Sequence, residues 1–116
     1  MSSPAVSSRD LPHPACDEIR LEEVLHALSD PMRLRIVREL ASATGELSCS
    51  DFELPVTKST TTHHFRVLRE SGVIRQVYRG TAKMNGLRRG ELDALFPGLM
   101  AALLDAATRQ AARPGD

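Results

Sequence analysis

The sequence predicts a mainly helical domain bearing one small β-hairpin, and three observations predict it. The 116 residues include no Trp, one Tyr and three Phe, so the interior has to be assembled from Leu, Val, Ile, Met and Ala, a mixture that suits helix packing. Apolar residues recur at i, i+3, i+4, i+7 in several stretches bounded by capping residues. Two short runs, 73–78 and 82–87, flank Arg79, Gly80 and Thr81, where glycine can supply the backbone angle that a tight turn needs. The length suits one domain, with a modest core if the chain folds alone and a better one if two copies share a face.

Residues 1–16, MSSPAVSSRDLPHPAC, are rich in Ser and Pro without periodicity and read as a flexible tail. The domain is expected over 17–111, with a second flexible tail at 112–116. Leu21, Val24, Leu25 and Leu28 form the apolar stripe of a first helix, and Asp17, Glu18, Glu22 and Glu23 suit its positive end. Asp30 then caps a second helix with Pro31 at its first position, running to about Leu40. Its Leu34, Val37 and Leu40 should face inward, and Arg33 and Arg38 outward.

A short helix at about 49–53 closes before Pro55, because the residue preceding proline avoids helical geometry. Thr57 caps the next helix, 58–71, which ends at Gly72 in the left-handed region. These two helices form a helix-turn-helix, and the hairpin that follows is a wing. A last helix begins near Gly90 or Pro97 and ends at Ala111. It carries Leu92, Leu95, Phe96, Leu99, Leu103 and Leu104, more apolar surface than one small core needs, which makes a second copy of the chain the simplest acceptor.

Formal net charge is zero, yet between residues 58 and 90 eight Lys and Arg stand against one acid, Glu70. A polyanion meeting that segment would see a basic surface. On the helix at 58–71, Thr61, Phe65 and Leu68 share one face, while Ser59, Thr62, His63 and Arg66 share the other. The second set offers hydroxyls, an imidazole and a guanidinium, and Lys58 adds charge at the leading end, a composition that suits the major groove of double-stranded DNA. Arg75, Arg79 and Lys83 on the wing are the expected phosphate contacts. Arg88 and Arg89 can serve the last helix instead, and His64 is expected at the edge of the core.

With these residues in view, the chain resembles the arsenical-resistance-repressor (ArsR) family of bacterial winged helix-turn-helix regulators over about residues 20–105. LSDPMRLRIV at 28–37 looks like the family's second-helix signature, and STTTHHFRVLRESGVI at 59–74 looks like its recognition helix, with Phe65 where Leu is common. The resemblance implies a homodimer formed by the first and last helices, which binds an inverted repeat and blocks transcription until a signal alters it. Many members also carry two cysteines one residue apart after a Glu-Leu pair. Here ELSCSD at 46–51 puts serines at those positions and Cys49 between them, and neutral hydroxyls hold soft metals poorly. The family's other frequent site uses histidines on the last helix, and none follows His64.

No metal or cofactor is therefore expected, although His13, Cys16, Cys49 and His26 leave open a different metal site or a Cys16–Cys49 disulfide acting as an oxidant sensor. A winged-helix module that binds protein rather than DNA is the other reading left standing. No nucleophile and base have catalytic spacing, so an enzyme is not expected. No apolar run approaches the roughly 20 residues of a membrane span, and the start lacks a signal-peptide pattern, so the expected location is the cytoplasm. The sequence names no effector.

Overall fold

The computed structural model describes residues 11–115; residues 1–10 of the first expected tail and Asp116 of the second lie outside them. The described residues form five α-helices and a three-stranded antiparallel sheet. The helices are Leu21–Leu28 (α1), Pro31–Ser42 (α2), Lys58–Glu70 (α3), Arg89–Leu95 (α4) and Leu99–Ala111 (α5). The strands are Leu47–Ser48 (β1), Ile74–Arg79 (β2) and Ala82–Leu87 (β3), in the order β1-β3-β2. The expected mainly helical winged helix-turn-helix is thus present.

Sequence-local chemistry sets the boundaries. Asp30 Oδ2 accepts from the amides of Met32 and Arg33 at 2.9 and 3.1 Å, satisfying donors that the first turn of α2 cannot pair internally. Thr57 Oγ1 accepts from the amide of Thr60 at 3.2 Å and starts α3. Gly72 ends α3 at φ 86°, and it is also where the incoming chain crosses. A Cβ there would lie 2.5 Å from Ile19 Cγ1, so glycine meets both a conformational and a steric demand. The hairpin turns over Gly80 and Thr81, with Gly80 at φ 66° and Arg79 paired to Ala82. The strand thus includes Arg79, one residue beyond the expected end.

The core is aliphatic, as composition requires. Val24, Ile36, Val37, Leu68, Val73, Ile74, Leu92 and Met100 are fully buried, and Phe52 meets Phe65 edge-on at 5.3 Å between ring centroids. Several sequence expectations are corrected. Leu21 and Leu25 are 41% and 43% exposed, so only Val24 and Leu28 of the first apolar stripe reach the interior. The single last helix is two, because Pro97 and Gly98, at φ 82°, break it. The short helix at 49–53 is one 3-10 turn, Cys49–Asp51, preceded by β1, which is too short to show periodicity.

Arg33, expected outside, is buried: its Nε donates to the carbonyl of Ala27 at 2.7 Å, and its Nη1 lies 3.2 Å from His64 Nδ1. It satisfies a carbonyl at the end of α1 and ties that end to the inner side of α3. His64 is buried as expected. Of the segment read as a tail, residues 11–16 run against the sheet, where His13 Nε2 accepts from the Gln76 amide at 2.9 Å and the Pro14 carbonyl accepts from Arg88 Nη1 at 2.8 Å.

A polar chain inside the fold fixes the hairpin relative to α3. Arg69 Nη1 donates to Gln76 Oε1 at 2.7 Å, Gln76 Nε2 to Asn85 Oδ1 at 2.7 Å, and Asn85 Nδ2 to the Leu47 carbonyl at 3.1 Å. All three side chains are buried, so each bond is made where water cannot readily replace it. Gln76→Leu removes the acceptor and strands the Arg69 guanidinium, with an expected loss of about 2 kcal/mol in urea denaturation.

Burial alone would raise the Asp30 carboxyl, but the amides of Arg33 and Met32 together with the Arg33 and His64 charges outweigh it and hold the group below its ordinary 3.8. A lowered folded value means that the contribution of Asp30 is complete above its unfolded pKa and is lost as pH falls through the folded one. Asp30→Ala is therefore expected to cost about 1 kcal/mol in denaturation at pH 7, with a smaller difference from the parent at strongly acid pH. Asp30→Asn keeps most of the cap while losing its acid dependence.

Candidate nucleic-acid interface

Burial of Phe65 and Leu68, 2% and 0% exposed, fixes the rotation of α3. At 3.6 residues per turn the opposite side must then carry Ser59, Thr62, His63 and Arg66, and all four are exposed, as is Lys58. Ser59, Thr62, His63 and Arg66 thus share one outward face, and Lys58 is exposed at the leading end of the helix. Thr61, assigned to the inner face, is half-buried.

The hydroxyls are already oriented. Thr62 Oγ1 donates to the Lys58 carbonyl at 3.0 Å, which leaves its oxygen lone pairs free and exposes its methyl group. Arg66 Nη2 lies 3.4 Å from His63 Nδ1, which brings the guanidinium and imidazole together on neighbouring turns. The first turn of α3 holds no acid, so its unpaired amides and Lys58 combine at one positive end.

The wing is less freely basic than its sequence implies. Arg79 is exposed but clamped to Glu46 through two bonds, Nε to Oε1 at 2.6 Å and Nη2 to Oε2 at 2.9 Å. The Arg79 hydrogen bond holds the Glu46 carboxyl below its usual range. Arg75 Nη2 sits 3.4 Å from Glu91 Oε1, and Arg88 grips Glu91 with bonds of 2.8 and 2.6 Å. Arg89 pairs with Asp93 at 2.9 Å. The partners Glu46, Glu91 and Asp93 all lie outside the basic segment, which is why counting along the chain overstates its charge.

None of the ion pairs among the described residues involves Lys58, Arg66, Arg69 or Lys83. Lys83 is half-buried, with Nζ 5.7 Å from the centroid of the Tyr78 ring. Arg69 is buried behind α3 and joins the polar chain to the wing. Sequence reasoning did not single out Glu46, Gln76 or Asn85. A Gln and an Asn directly opposite each other in the hairpin look like solvated polar residues until the sheet's inner face is known.

The metal candidates are not gathered into one site. Cys16 and Cys49 are free thiols, His13 is engaged with the Gln76 amide, and His26 is exposed. Cys49 Sγ is approached by Asn85 Nδ2 at 3.3 Å. Among the described residues no three His, Cys, Asp or Glu side chains come together to hold a metal ion. No described helix is long and apolar enough to cross a membrane.

This arrangement has close counterparts. A family model described as a helix-turn-helix domain matches residues 28–77. YceK, an uncharacterized helix-turn-helix-type transcriptional regulator of Bacillus subtilis, is 34% identical over 89 residues, which make up 75% of this chain and 88% of that one. Among solved structures, an ArsR-like transcriptional regulator from Rhodococcus sp. RHA1 superposes with a TM-score of 0.56 at 29% identity, covering 81% of this chain and 93% of the other. The transcriptional repressor BigR from Xylella fastidiosa gives a TM-score of 0.53 at 26% identity over 66% of this chain and 85% of its own. The chain belongs to the ArsR family of DNA-binding, winged helix-turn-helix transcriptional regulators.

Proposed function

We propose that the protein is a repressor that binds an inverted-repeat operator in double-stranded DNA as a homodimer. Ser59, Thr62, His63 and Arg66 meet base edges in the major groove, Lys58 guides the leading end of α3, and Arg75, Arg79 and Lys83 hold phosphates. The observation that carries this reading is the outward face of α3, which is exposed and free of carboxylates through its first three turns. The repressor role is supported by the family and by BigR, which is itself a transcriptional repressor. It acts from the cytoplasm, where the DNA is, and catalyses nothing.

The homodimer is supported by apolar surface that one copy leaves uncovered. Leu21 and Leu25 stand out from α1, and Leu103 and Leu104 of α5 remain half-buried beside exposed Ala101 and Ala102. Two copies joined through α1 and α5 would place two α3 helices for successive half-sites. Leu25→Glu should convert the dimer to monomer in sedimentation velocity while leaving the monomer folded by circular dichroism.

Affinity for an operator, selected from genomic fragments and measured by fluorescence anisotropy, is expected to fall at least about tenfold between low and physiological salt. Thr62→Ala and His63→Ala should each lose about 1–3 kcal/mol of discrimination between operator and unrelated duplex. Arg79→Ala should weaken both duplexes alike, and Glu46→Gln, which frees Arg79, should strengthen both. Selectivity untouched by both Thr62→Ala and His63→Ala, or affinity indifferent to salt, would contradict the assignment.

A further inference from the structure

A cavity of about 470 Å³ lies between α3 and the β2–β3 hairpin, within the size range of small-molecule sites. Four cations line it, Lys58, Arg66, Arg69 and Lys83, and among the described residues no carboxylate does. Phe65 and Ala82 contribute apolar wall. The cations are graded by depth: Lys58 and Arg66 are exposed, Lys83 is half-buried, and Arg69 is only 8% exposed.

Arg69 is the informative member. A buried guanidinium is ordinarily matched by a carboxylate, because removing its charge from water is costly without a counter-charge. Arg69 has none among the described residues: Nη1 donates to the neutral Gln76 amide oxygen, and Nε is enclosed without a partner. Arg69 therefore brings a positive charge to the cavity wall that no carboxylate among the described residues answers. A guanidinium meets an anionic oxygen through charge-assisted hydrogen bonds that are stronger than those to a neutral acceptor such as the Gln76 amide.

The geometry points to a binding site for a small organic acid, seated between α3 and the hairpin with its carboxylate on Arg69 and its apolar body against Phe65 and Ala82. Its consequence rests on the DNA-binding reading. Lys58, Arg66 and Lys83 line the cavity and are also the proposed DNA contacts, so a ligand seated there opposes operator binding directly, without a metal. Inorganic phosphate shares the charge of such a ligand but lacks the body that fills the apolar part.

The test is calorimetric titration of the full chain, without DNA, using 2-naphthoate as probe. Its neutral counterpart 2-naphthylmethanol and inorganic phosphate serve as controls. Saturable naphthoate binding at one site per chain is expected, with both controls at least about tenfold weaker. Arg69→Met should weaken naphthoate at least about tenfold. Ala82→Leu, which fills the cavity while leaving Arg69 in place, should weaken it severalfold, with cooperative thermal unfolding retained.

Absence of saturable naphthoate binding at millimolar concentration overturns the site. So does phosphate binding as tightly as naphthoate, or undiminished naphthoate binding in a folded Ala82→Leu protein. In a separate anisotropy arm, naphthoate should displace operator from the parent protein and not from Arg69→Met. A protein that binds naphthoate as described but no duplex at all would remove the DNA reading and leave the ligand site standing.

Discussion

Phe65 and Leu68 are driven into the core by their apolar surface, each worth roughly 1.5–3 kcal/mol of burial, and a helix has only one rotation that buries both. Once they are inside, Ser59, Thr62, His63 and Arg66 have nowhere to point but outward. Turning α3 about its axis would expose those two residues and bury an arginine and an imidazole without partners. The Thr57 cap, the Gly72 crossing and the Arg33 bridge to His64 all serve to hold this one rotation. Rotation of α3 is thus the constraint on which the proposed contact with DNA depends.

The second constraint is the distance between α3 and the wing, and it is set by polar rather than apolar chemistry. Arg69, Gln76 and Asn85 pass hydrogen bonds from the back of α3 across two strands, and His13 closes the chain from the N-terminal side. Such a chain specifies geometry strongly because each member loses a partner if the spacing changes. It also leaves a cavity in which a cation is only half answered. The same link that positions the wing for a duplex can therefore report the presence of a ligand.

Much of this was legible in the sequence because the signals were local. Asp30-Pro31 and Thr57 start their helices, Gly72 and Gly80 turn the chain, and the Phe65 and Leu68 spacing orients α3, all without knowledge of the tertiary fold. What escaped was long-range. Arg33 reads as a solvated cation until the end of α1 offers it the Ala27 carbonyl. Arg79 reads as free until Glu46, 33 positions away, arrives across the sheet. Leu21 and Leu25 read as core because periodicity marks an apolar stripe without saying what covers it. The candidate reading face was recoverable from spacing alone, whereas the charge actually available on the wing was not.

The most direct measurement of the central claim is amide chemical-shift mapping of nitrogen-labelled protein titrated with an operator duplex. The largest changes should fall on Thr62, His63 and Arg66 and on the hairpin tip, while the amides of Leu21, Leu25 and the outer face of α5 move little. Changes concentrated on α1 and α5, with the amides of α3 unmoved at saturating duplex, would contradict it.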